Sequence, residues 1–233
     1  IPIRTGYAVT GTEGRLRLKK AFVAPLDAAG QRVFGGGEPI DCDLLVSSGG
    51  WNPTVHLFCQ SKGSLEWDEQ LACFRPGSSM QRNQAVVGAA NGTFGLAQAL
   101  AEAHEAALAA AAAAGFPSES GSSAPPSTGE EDDYLPLREI YLVPSNQPVG
   151  QGGKHFVDQQ HDVTAADLLL ALREGYRSIE HVKRYTTTGM ATDQGKTSNV
   201  AAIGIVAEHL GKPLPEVGVT TFRPPYTPVT FGA

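Results

Sequence analysis

The sequence predicts a mixed α/β (α+β) chain of two structured blocks joined by a tether, and three observations carry that prediction. Residues 1–115 hold strand alternation and two apolar runs that end in small residues, followed by a long Ala-rich helical pattern. Residues 116–135 form a Ser/Pro/Gly tract that runs into Glu130-Glu131-Asp132-Asp133. Such a segment buries too little apolar surface to offset chain entropy, so it reads as an exposed linker. Residues 136–233 carry three helical patterns, each with start and stop signals.

Composition narrows the function classes. The chain has 233 residues, 41% of them hydrophobic and 18% charged, as expected of a packed core. A net charge of -6 argues against a nucleic-acid partner, whose phosphates need a basic face. No apolar run reaches the length of a membrane span, and no secretory signal is visible. Cys42, Cys59 and Cys73 are odd in number and lack metal spacing, so they read as reduced thiols of a cytoplasmic protein. The chain begins at Ile1 in the middle of a strand-like pattern, and a piece of a larger polypeptide is expected.

In the first block, Ile1 to Val9 and Arg15 to Ala24 predict a strand hairpin, and Gly35-Gly36-Gly37 a turn. Ile40 to Gly50 predicts a buried strand that ends in Ser47-Ser48-Gly49-Gly50, ahead of Trp51-Asn52-Pro53. Ala85 to Gly92 predicts a second strand-to-glycine segment, and Phe94 to Gly115 one long helix. In the second block, Ile140 to Pro144 predicts a short strand. Thr164 caps a helix with Asp167 at its third position, Leu168, Leu169, Ala171 and Leu172 on its apolar face, and Gly175 at its end. A second helix runs from Ser178 to Gly189 and a third from about Ser198 to Leu210, stopped by Gly211. The prolines in Arg223 to Val229 impose an extended tail.

The most informative stretch lies between the last two helices, from Thr186 to Asn199. It gathers glycines, hydroxyls, two amides, Asp193 and Lys196. It is not a P-loop: the spacer Met190–Gln194 is one residue too long, a helix rather than a strand precedes it, and Asp193 adds a negative charge. Two readings stay open. Gly189 and Thr197 or Ser198 cap the flanking helices, or the loop offers backbone N–H groups, Lys196 and hydroxyls to a phosphate. Capping leaves Lys196 and the spare hydroxyls unexplained.

Several segments together carry a family resemblance. They are Phe156 to Thr164, Glu174 to Met190, the tail Thr220 to Val229, and Gly49-Gly50-Trp51-Asn52-Pro53-Thr54-Val55-His56-Leu57. The chain resembles the alpha subunit of heterotetrameric sarcosine oxidase over nearly its whole length apart from the linker. The first block is similar to the end portion of a pyridine nucleotide-disulfide oxidoreductase-like dinucleotide-binding domain, although no G-x-G-x-x-G fingerprint is present. The second block resembles a small helical [2Fe–2S] domain of the bacterioferritin-associated ferredoxin (BFD) type. Laid on that pattern, the cluster-ligand positions become Asp158, Gln160, Asp193 and Ser198. Without a thiolate no Fe–S cluster is expected.

The resemblance implies a flavin-dependent amine oxidoreductase that demethylates sarcosine. NAD binds the alpha subunit, which also has a tetrahydrofolate-binding domain. FAD sits in the beta subunit, and FMN lies near the alpha–beta contact. On this chain it implies NAD contacts at Ala89, Phe94 and Leu96. It implies FMN contacts at Thr188, Gly189, Thr192, Gln194, Gly195, Lys196, Thr197 and Ser198, with backbone N–H groups near Gly195 assisting. The expected partners are the beta subunit and other subunits of a hetero-oligomer, with no catalytic residue and no metal ligand in this piece. A related amine, opine or proline dehydrogenase subunit is the alternative within the enzyme class, and a non-catalytic docking module is the alternative outside it. His161 and His181 read as solvated or capping groups more than as metal ligands. Trp51 reads as a cofactor-stacking or a core or interface aromatic.

Overall fold

The computed structural model describes residues 2–78, 83–117, 125, 128–129, 137–224, 227 and 229–232. Most of the expected linker, including Glu130 to Asp133, and much of the proline-rich tail lie outside the described residues. The chain forms two compact units that interleave in sequence. The first comprises Ile1–Gly50, Arg138–Met190 and Thr197–Thr220, and the second Trp51–Leu137, Ala191–Lys196 and Thr221–Ala233. The sequence reading divides the same chain into consecutive blocks.

In the first unit, β1 (Tyr7–Gly14), β2 (Leu18–Pro25) and β3 (Glu38–Asp41) make an antiparallel sheet with β2 in the centre. The β1–β2 register shifts at Val9/Gly11 and at Glu13/Gly14. Gly14 has φ +150°, and a Cβ there would meet the Arg17 carbonyl oxygen, so only glycine closes this turn. A second pair, β6 (Phe156–Asp158) with β7 (Val163–Thr164), leads into helix α3 (Ala165–Arg173). Thr164 and Asp167 form the expected capping box: the Asp167 carboxylate accepts from Thr164 N at 2.8 Å and Thr164 Oγ1 at 2.7 Å. Helices α4 (Ile179–Thr186) and α5 (Asn199–Leu210) follow. Leu168, Ala171, Leu172, Val182, Ile203 and Val206 form their shared core. Gly211 ends α5 in the left-handed conformation (φ +61°), as its position predicts.

In the second unit, helix α1 (His56–Gln60) precedes a hairpin of β4 (Leu65–Asp68) and β5 (Cys73–Pro76). A 3-10 turn (Gly88–Asn91) leads to helix α2 (Leu96–Ala113). Val55, Phe58, Cys73, Phe74 and Phe222 form a small core, and Trp67 meets Phe74 edge-on at 4.9 Å. Helix α2 buries none of its residues fully; its Ala-rich composition supports it by propensity.

Three strand expectations fail. The run from Ile40 to Gly50 stays extended only to Asp41; Leu44 is 72% and Val46 81% exposed. An apolar strand needs neighbours on both edges and faces, and beyond the Cys42 N to Lys19 O hydrogen bond at 3.1 Å no named strand among the described residues extends into residues 43–50. Ala85 to Gly92 ends in the 3-10 turn instead of a strand, and Ile140 to Pro144 forms no strand. Every strand pair among the described residues is antiparallel, so no parallel dinucleotide-binding sheet is formed among them.

Gly204 lies inside α5, and a Cβ there would meet the Tyr141 ring. Gly204→Ala is expected to destabilise the chain by about 2 kcal/mol through overpacking. Gly153→Ala, where a Cβ meets open space, is expected to change stability by less than about 0.5 kcal/mol. Urea unfolding of the two variants against wild type measures both.

Candidate functional site

The segment 188–199 leaves the first unit after Met190 and rejoins it at Thr197. In the first unit its ends converge on Asp158, the last residue of β6, whose side chain is buried in a residue only 2% exposed. Asp158 Oδ2 accepts from Gly189 N at 2.8 Å and from Ser198 Oγ at 3.4 Å, and Oδ1 accepts from Gln160 N at 2.9 Å. Hydrogen bonds to a charged acceptor are stronger than neutral ones, so this carboxylate ties both ends of the segment to one strand. His161 Nε2 donates to Met190 O at 3.0 Å, a bracing role that fits the capping reading. Thr188 is fully buried, and its hydroxyl has no hydrogen-bond partner among the described residues.

The middle of the segment, Ala191–Lys196, belongs to the second unit. Here the structure corrects one expectation. The N–H groups of Gln194, Gly195 and Lys196 do not face outward. They donate to Ala191 O (3.1 Å), Asp193 Oδ1 (2.9 Å) and Asp193 O (3.3 Å). Asp193 precedes Gly195 by two positions and folds the turn on itself, as Asp does in Asx-turns. These three amides are therefore not offered to an anion. Gln194 is buried and holds φ +52°, as does Ala191. Gln194 O accepts from His56 Nε2 at 3.2 Å, and Gln194 Oε1 accepts from Arg223 N at 2.9 Å. The His56 ring packs on Phe222 with centroids 4.0 Å apart.

The turn assigned to NAD contacts is closed by its own helix. Glu102 of α2 accepts from Gly88 N at 2.8 Å and from Asn91 Nδ2. Burial alone pushes the Glu102 carboxyl upward, but the hydrogen bonds from Gly88, Asn91 and Thr93 together outweigh it and hold the group below its ordinary value. Ala89 is exposed on this turn, Phe94 is half-buried, and Leu96, the first residue of α2, is 60% exposed. These three present apolar surface, while Gly88 N is committed to a carboxylate.

The remaining candidates separate. Trp51 is 79% exposed and is not a core aromatic. His181 is exposed beside Tyr176. The cysteines are free, and burial raises the Cys59 and Cys73 thiols to about 11, a range of low reactivity. Among the described residues no group of three His, Cys, Asp or Glu is placed to hold a metal, and no helix is long and apolar enough to cross a membrane. Sequence reasoning missed Glu102 and the role of His56. His56 lies in the quoted Gly49–Leu57 segment, yet nothing local signals its contact with Gln194.

Known proteins resemble this chain at two levels, fold and sequence. The fold is that of an L-proline dehydrogenase chain from P.horikoshii, matched with a TM-score of 0.67 at 17% identity over 96% of this chain and 43% of that one. Residues 152–233 match the family model described as the sarcosine oxidase A3 domain. The whole chain is similar to the sarcosine oxidase subunit alpha of Corynebacterium sp. (strain P-1), 40% identical over 100% of this chain and 24% of that protein. That of Corynebacterium sp. (strain U-96) is 42% identical over the same shares. That of Rhizobium meliloti (strain 1021) is 42% identical over 86% of this chain and 20% of that protein. The chain is thus similar to sarcosine oxidase alpha subunits and spans about a quarter of the length of the curated relatives it matches.

Asp158→Ala is expected to lower the unfolding free energy by about 3 kcal/mol, because it strands buried donors. Asp158→Asn keeps one acceptor oxygen and is expected to lose less; urea denaturation compares the two. Glu102 gives a pH test. Its folded-state pKa lies below the ordinary 4.5, so its contribution to stability is complete above that value and is lost as pH falls through the folded value. The melting-temperature gap between wild type and Glu102→Gln is expected to be constant at neutral pH and to close as the pH falls below 4.5, through the lowered folded-state value.

Proposed function

We propose that this chain is part of the alpha subunit of a cytoplasmic sarcosine oxidase. The complete enzyme would convert sarcosine, water and oxygen to glycine, formaldehyde and hydrogen peroxide, with methylene-tetrahydrofolate formed where the folate takes up the one-carbon unit. The observation that carries this reading is similarity to three sarcosine oxidase alpha subunits, two of them across the full chain. A bound flavin would accept the electrons and pass them to oxygen. No residue of this chain is assigned to that chemistry, which we place with FAD in the beta subunit.

The role assigned to this chain is contact with coenzymes and subunits. The segment from Thr188 to Ser198 is the proposed contact for an FMN shared with the beta subunit. Two observations support the fit. The buried Thr188 hydroxyl lacks a partner among the described residues, and a ligand oxygen would satisfy it. The segment also holds the residue types a phosphate takes, the cation Lys196 and the hydroxyls of Thr192 and Thr197. Gly189 and Ser198 act through Asp158, and Gln194 and Gly195 shape the turn. NAD is assigned only ring contact at Ala89, Phe94 and Leu96, because Glu102 already occupies the anion position of that turn. We read residues 136–233 as a BFD-like scaffold in which hydrogen bonds to Asp158 stand where a cluster would otherwise bind, without iron. Residues 1–115 are read as the end portion of the dinucleotide-binding-like domain.

Lys196→Ala in the oxidase purified with its partner subunits tests the assignment. Losing one charge-assisted hydrogen bond is expected to slow electron transfer at the flavin about tenfold, or to lower FMN content, both followed by flavin absorbance. Unchanged FMN content and unchanged electron transfer would replace this reading with a docking module that binds no coenzyme.

A further inference from the structure

Three large aliphatic side chains stand in water side by side in the first unit. Leu44 is 72%, Leu45 41% and Val46 81% exposed. A single exposed leucine is ordinary on a protein surface, but a contiguous apolar run is not. The backbone here is as bare as the side chains. Among the described residues, no hydrogen bond reaches the N–H or C=O groups of residues 43–47. Order ends just before the run: β3 pairs with β2, and Cys42 N carries the ladder one step further, to Lys19 O at 3.1 Å. No residue from Cys42 to Gly49 has a positive φ, so the backbone does not bar a strand there. In a strand, Leu44 and Val46 point to one face and Leu45 to the other. Apolar residues on both faces mark a strand covered on both sides, as in a buried parallel sheet. Among the described residues that cover is missing, and it has a source. This chain spans 24% of the length of two alpha subunits that match it over its full length.

We infer that residues 42–46 form an interior strand in the complete protein, paired and covered on both faces by parts of the same polypeptide that lie outside this chain. The inference rests on the proposed reading of this chain as part of a longer alpha subunit, and on none of the coenzyme contacts. The bare N–H and C=O groups call for a strand edge, because a helix has spent its own backbone groups internally. The three side chains call for apolar cover on both sides of that sheet. Segments of the same polypeptide meet the run at a far higher effective concentration than a separate subunit does.

The test uses the complete oxidase, purified with all its subunits. Mass spectrometry first weighs the polypeptide that contains this sequence, and roughly four times the 24.4 kDa of this chain is expected. A mass near 24.4 kDa would remove the longer-subunit reading and the inference with it. Amide hydrogen exchange is then read at Leu44, Leu45 and Val46 in the unmodified protein. Interior pairing is expected to slow all three at least about a hundredfold against an unstructured peptide of the same sequence. A smaller slowing overturns the inference and leaves the longer-subunit reading standing. A benzophenone attached at Ser47→Cys and activated by light then identifies the neighbour by peptide mapping; Ser48→Cys is used should the first variant not assemble. Adducts outside residues 1–233, at an unchanged mass of the denatured polypeptide, are expected. Adducts on another subunit, on a second copy, or confined to residues 1–233 overturn the inference.

Discussion

The buried carboxylate of Asp158 is the constraint on which the first unit's polar architecture depends. A carboxylate at 2% exposure is costly unless its oxygens are satisfied. Here they are: Gly189 N and Ser198 Oγ meet one oxygen and Gln160 N the other. Because Gly189 follows α4 and Ser198 precedes α5, this single side chain fixes the exit of one helix and the entrance of the next. Helix α3 is tied by the same kind of chemistry, with Asp167 closing its capping box on Thr164. Apolar burial at Leu168, Val182, Ile203 and Val206 supplies bulk stability, while the two aspartates set where the chain turns.

The second unit repeats the device with different residues. Glu102 reaches from α2 to the Gly88–Asn91 turn, and Asp193 folds the Ala191–Lys196 turn inward. In both places an acidic side chain takes up backbone donors that a glycine-rich turn would otherwise offer to a phosphate. Glycine-rich composition alone is therefore a poor guide to anion binding. The decisive question is whether an acidic residue within reach has already claimed the N–H groups.

That distinction marks how much was legible in the sequence. Helix ends were readable because their signals are local. Thr164 stands three residues before Asp167, and Gly211 directly follows Leu210. The β1–β2 hairpin was readable from alternation. The run from Ile40 to Gly50 was misjudged because composition reports what a segment can bury, and not whether a neighbour is there to bury it. The turn near Gly195 was read as open because the Asp193 side chain folding back is a three-dimensional event. Nothing local in the Ala-rich helix marks Glu102 as the acceptor for the Gly88–Asn91 turn. His56 and Gln194 meet across 138 positions, beyond any local pattern. Family resemblance, carried by long specific segments such as Phe156–Thr164 and Glu174–Met190, was the most legible property of all.

The central claim is that the turn carrying Lys196 addresses a coenzyme through its side chain while its own amides face inward. The most direct measurement is an experimental structure of the complete oxidase with its flavins bound. The account predicts Lys196 Nζ at roughly 3 Å from a flavin phosphate oxygen, with the Gly195 amide still bonded to Asp193. A flavin remote from Lys196, or a phosphate seated on the Gly195 amide in place of Asp193, would contradict it.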